Sequence, residues 1–217
     1  MDGEAVQVVD LRPGRRSAPP LVELWASTGA ELVRAATALT RSPWDGFDVG
    51  DDRLAELAAR LDDDLRAHLD AQTQESWLFL TSLVARLEEP GTVEDLLALL
   101  AEHPIDVWRA LVETPLGDVG EHDPEVLDRY LAGDATAEDV LEWIRAIDDT
   151  DKLTEMVTPL LERPPAELVG DLHATLTGVH AVIGAEMLAE AIGPMQREVV
   201  ARRQQLEAGR HAGELVV

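Results

Sequence analysis

Two histidines and five tryptophans are the residues through which this chain could do chemistry or hold a ligand. His173 and His180 stand seven residues apart, which puts both on one face of a helix, with Asp171 and Glu186 close by in sequence. Two helical turns separate them by about 10 Å, too far for one ion to hold both without help. No His-Glu-x-x-His or Glu-x-x-His pair accompanies them, so no metal is expected. They read as packing or surface residues, with a ligand contact as the other use. Trp25, Trp44, Trp77, Trp108 and Trp143 outnumber the 2 Phe and 1 Tyr together. Indoles either fill volume between helices or line a cavity for an apolar small molecule. The candidate ligand-facing set is therefore Trp77, Trp108, His173 and His180.

Other chemistries are absent from the sequence. With no cysteine, disulfides, thiolate zinc sites and a thiol nucleophile are excluded. There is no Gly-x-Ser-x-Gly elbow and no glycine-rich phosphate loop. Carboxylates meet by chance in a chain with 28% charged residues, so no acid pair marks a glycosidase. No catalytic residue and no cofactor is identified, and the chain does not read as an enzyme.

Charge narrows the partners. There are 43 acidic residues against 18 basic ones, a net charge of −25 and a pI near 4.4. Such a surface repels phosphate backbones, so direct nucleic-acid binding by this chain is not expected. The acidity reads as solubility or as recruitment of a basic partner. Lys152 is the only lysine. Arginine carrying nearly all the positive charge points to a GC-rich coding genome, of an actinobacterial kind, or to a salt-adapted source. The start lacks the basic residues and apolar run of a signal peptide, and no stretch approaches the ~20 apolar residues of a spanning helix. The expectation is a cytoplasmic protein with no membrane partner.

The elements that would position these residues are all helical. The longest apolar seam runs from Ala166 to about Leu206: Leu168, Leu172, Leu176, Val179, Ile183 and Met187 recur at steps of four, four, three, four and four, one face of a helix. It is expected to be the central post on which shorter amphipathic helices lean. Gly193-Pro194 should either kink it or end one helix and begin another, with the break and close continuation to about Leu206 as the favoured reading. Upstream, residues 5–11 suit a short strand, and Pro19-Pro20 should open a first helix over 21–39 with Leu21, Leu24, Trp25, Leu32 and Val33 inward. The segment 40–50 reads as a loop. A helix begins at Asp51-Asp52, the run Asp62 to Asp64 interrupts or exposes it, and Glu75 to Leu87 reads as a central helix. Thr92 with Asp95, and Thr136 with Asp139, have the spacing of N-terminal caps. His103-Pro104 should break the chain again, and Ile105, Val107, Trp108, Leu111 and Val112 form another short helix. Residues 114–124, with two prolines and two glycines, are the hinge candidate. Helices should follow near Pro124 to Leu131, Thr136 to Ile147 and Asp151 to Leu161. The expected architecture is all-α: an irregular multi-helix bundle over 17–217 around a long C-terminal helix, preceded by a strand or flexible arm over 1–16.

The order of these pieces resembles the N-terminal helical region of actinobacterial arsenic-repressor (ArsR)-type, winged-helix transcriptional regulators. Asp10-Leu11 ends the strand, Pro20-Leu21-Val22-Glu23-Leu24 gives the Pro-Leu-x-Glu-Leu helix, Trp77-Leu78 the apolar segment and Leu96 to Leu100 the leucine-rich helix. Those regulators carry a winged helix-turn-helix reader after this region, and no such pattern is found here; ARRQQLEAGR is basic but is one helix end. The resemblance implies a non-DNA-binding regulatory domain that senses a ligand or pairs subunits, either as a homodimer or with an attached DNA-binding module. The alternative is an acidic helical protein–protein interaction module.

Overall fold

The computed structural model describes residues 27–40, 51–84, 91–116, 125–147 and 151–207. The expected strand at 5–11, the arm over 1–16, the Pro19-Pro20 helix start, Trp25, and the 41–50 loop with Trp44 lie outside them. Eleven α-helices and no strand occur among the described residues. In order they are α1 Thr28–Leu39, α2 Asp51–Ala58, α3 Asp63–Ala71, α4 Gln74–Val84, α5 Val93–Glu102, α6 Pro104–Glu113, α7 Glu125–Ala132, α8 Ala137–Ile147, α9 Asp151–Leu161, α10 Pro165–Val179 and α11 Ala185–Glu207. A tight turn, Thr114–Leu116, follows α6, and a π turn, His180–Gly184, joins α10 to α11. The fold is the expected all-α bundle.

Short polar side chains start several helices. Ser27, in extended conformation, accepts from the Ala30 amide at 3.1 Å and donates to the Gly91 carbonyl at 2.9 Å, so it begins α1 and ties that start to the entry of α5. Of the helix expected over 21–39, the described part is α1, Thr28–Leu39, and residues 21–26 lie outside the described residues. Asp62 caps α3 through the Leu65 amide at 2.7 Å, so the helix is interrupted between Ala58 and Asp63, while Asp63 and Asp64 form the exposed first turn of α3. Both Thr/Asp pairs are reciprocal caps. Thr92 Oγ1 accepts from the Asp95 amide at 3.1 Å while Asp95 accepts from the Thr92 amide at 2.9 Å. Thr136 and Asp139 repeat the exchange at 3.2 and 2.6 Å. Gly133, at φ 81°, ends α7: its amide bonds Tyr130 O at 3.0 Å and the Asp134 amide bonds Arg129 O at 2.8 Å. That paired closure requires a left-handed residue, which glycine adopts without strain.

The centre of the bundle is α10, packed against α1, α3, α5, α6 and α9. Its Leu168, Val169, Leu172, Thr175, Leu176 and Val179 are buried, as is Ile183 in the π turn. α4 lies on α1, α6 and α9 and buries Trp77, Phe79, Leu80 and Val84. Small residues permit the closest approaches. A Cβ on Gly29 would stand 3.0 Å from Thr92 O, and one on Gly178 would stand 2.7 Å from Leu65 Cδ1.

Three expectations change. The post is central only in its first half, since no described residue of α11 is buried; the apolar recurrence ends at Met187, and beyond it the stripe carries glycine, arginine and glutamine. Gly193-Pro194 bends the helix without ending it: α11 continues through Pro194, and its axis turns by 46° between 165–190 and 193–202. The short helix expected to carry Ile105, Val107, Trp108, Leu111 and Val112 is α6, with Ile105 41% exposed because the second helical residue precedes the first inward position, Val107. The start of the hinge candidate is a packed turn with Thr114 and Leu116 buried, while residues 117–124 lie outside the described set. Among the described residues no single helix is long and apolar enough to cross a membrane.

Candidate functional site

The tryptophan pair sits inside the bundle. Trp108, on α6, is 0% exposed, donates its indole N–H to the Leu160 carbonyl at 2.9 Å, and stacks on Tyr130 with ring centroids 5.3 Å apart and planes 18° from parallel. The contact joins α6 to α7 and α9, and the hydrogen bond removes the cost of burying the indole nitrogen. Burial raises the Tyr130 phenol above its ordinary value of 10.0. Trp77, on α4, is also 0% exposed, and its Nε1 is buried without a hydrogen-bond partner. Neither indole presents a face to solvent, so both act as core volume in this structure.

His173 and His180 lie at the edge of α10, half-buried, and no group of three or more metal-binding side chains occurs among the described residues. His180 has a specific place. It opens the π turn, and its ring occupies the space above Gly184, where a Cβ would stand 2.2 Å from His180 Cδ2. Gly184 therefore accommodates the ring, and any side chain there would expel it. Arg60, in the turn after α2, closes the same junction from outside. One guanidinium nitrogen donates to the Val182 carbonyl at 2.8 Å and the other pairs with Glu186 in the first turn of α11. The π turn is thus held by an imidazole packed inside it and a guanidinium bound across it.

Past the bend, α11 turns a different surface outward. Gly193, Arg197, Val200 and Gln204 follow one another at steps of four, three and four, the seam spacing of paired helices. With Gln196 and Ala201 they border an open depression of about 470 Å³. Val200 is 54% exposed, the most exposed large apolar residue among those described. Met195, Val199 and Arg202, on another side of the helix, are half-buried. Arg202 pairs with Glu198 at 2.6 Å, whereas Arg197 forms no ion pair among the described residues. An exposed cation beside an exposed valine stands out on a chain of charge −25. The 4-3-4 spacing was legible in the sequence, but with one apolar member it gives no periodic hydrophobic signal.

Comparison of the chain with protein-family models, with curated proteins and with solved structures finds no match.

Proposed function

We propose that this chain is a helical pairing module, the subunit-pairing part of a transcriptional regulator of the ArsR-like kind its sequence resembles, and that its pairing surface is the far half of α11. The observation that carries the reading is the heptad-spaced stripe of Gly193, Arg197, Val200 and Gln204, its last three members exposed, on a helix with no buried residue among those described. The occupant is a second copy of the same chain. A stripe with this spacing meets its own copy as two helices side by side, with Val200 as the apolar contact, Gln204 as a polar seam residue that fixes register, and Gly193 and Ala201 allowing close approach. The cation of Arg197 has a copy's carboxylates within the same surface to meet.

Pairing through so small an apolar area is weak and opposed by the net negative charge, so salt favours it. Light scattering on the full chain tests this. The expected result is a mass that rises from one chain toward two as concentration approaches about a millimolar, the weak end of the affinity scale, more readily at high salt. Val200→Asp should hold it at one chain with unchanged thermal stability. A single-chain mass at every concentration and salt sinks self-pairing and leaves the acidic interaction module, with a different partner, as the remaining reading. Ligand sensing through Trp77 and Trp108 draws no support from their geometry, because both rings are sealed.

A further inference from the structure

Continued at 100° per residue from the buried stripe of α10, the half-buried Met195, Val199 and Arg202 would point about 150° away from that stripe in an unbroken α-helix. The wider turn at His180–Gly184 takes back much of one residue's rotation, because each of its bonds spans one residue more than an α bond. The rotation with which α11 leaves α10 is therefore set at the π turn, ahead of the 46° bend at Gly193-Pro194. The groups that hold this turn come from outside it as well as within. Arg60 reaches the Val182 carbonyl at 2.8 Å and pairs with Glu186, and Gly178, one turn before it, lies against Leu65 of α3.

We propose that the π turn, latched by Arg60 from the α2–α3 corner, is a register switch for α11: opening the latch lets the turn relax to α geometry and rotates α11 by about 100°, the angle of one residue. In the latched register Val200 and Arg197 face outward and Val199 faces the bundle. In the relaxed register these faces exchange. The consequence for pairing rests on the reading of the α11 stripe given above; the rotation itself does not. A ligand or partner that engages the Arg60 guanidinium, such as a carboxylate or phosphate competing with Glu186, would open the latch and so couple that corner to the presented face.

Because the chain has no cysteine, single substitutions Val199→Cys and Val200→Cys report the two faces by their rates of reaction with a soluble thiol reagent. At dilutions where the chain is a monomer, Arg60→Ala should raise the ratio of the Val199→Cys rate to the Val200→Cys rate about fivefold, the size of shift that an exposed ion pair can exert on an equilibrium. Removing Ala181, the exposed second residue of the turn, takes out the extra residue. It should leave the ratio near its starting value and make it insensitive to Arg60→Ala. An unchanged ratio in folded Arg60→Ala, or a ratio still responding to Arg60→Ala once Ala181 is gone, overturns the proposal. Light scattering on the same variants reads pairing separately, so a rotation without pairing condemns the pairing surface and not the switch.

Discussion

α10 and α11 form one helical run joined by the π turn, yet α10 buries six residues in its 15 and α11 buries none of those described in its 23. The difference lies in what surrounds them. α10 is flanked by five helices whose own apolar faces need cover, whereas α11 meets chiefly α1 and the π turn. A helix in the first position is held by hydrophobic burial and tolerates little change. One in the second is held by its backbone bonds and a few anchors, and its outward face is free for a partner.

The largest test of that contrast is Leu172→Ala in α10, 0% exposed, which should cost about 2–5 kcal/mol. Val200→Ala in α11 should stay within about 0.5 kcal/mol. Urea unfolding of both reads the difference directly; similar losses would erase the distinction. The glycines sharpen it. Gly178→Ala drives a methyl to 2.7 Å from Leu65 and should cost about 1–3 kcal/mol through overpacking. Gly193→Ala meets only Arg197 Nη1 at 3.4 Å and should stabilise by about 0.5–1 kcal/mol, the helix preference for alanine. A thermal shift of the same sign in both would show that the two helices are equally constrained.

The smallest effect is acid fraying of the capped helices. The amide and hydroxyl of Thr92 hold the Asp95 carboxyl below its ordinary 3.8, and Thr136 does the same for Asp139. A depressed folded value means that each cap is fully effective above about pH 3.8, the unfolded value, and is lost as pH falls through the lower folded value. Side-chain titration by NMR should give both carboxyls midpoints below 3.8. Loss of amide protection at the starts of α5 and α8 should accompany those midpoints, with no matching change at Val199–Gln204.

Much of the frame was legible in residue order. Thr92/Asp95 and Thr136/Asp139 announced their caps, because a capping box is a local exchange between residues three apart. Leu168 through Ile183 announced a buried stripe, because a single helix face suffices to define it. The π turn was not legible: it depends on Arg60, more than a hundred residues upstream, and on a ring fitting above Gly184. Nor did the tryptophan count tell filling from lining. Trp108 became core only when Leu160 supplied a carbonyl and Tyr130 a ring from two other helices.

By itself the sequence determined helical class, the boxed starts of α5 and α8 and the stripe that α10 buries, since all of these follow from contacts within a few residues along one chain segment. Tertiary structure alone decided that the apolar run divides at His180–Gly184 into a buried half and one that is at most half-buried among the described residues. Whether a helix face is buried depends on how many other elements arrive beside it, and arrival is set by long-range packing that no local spacing records.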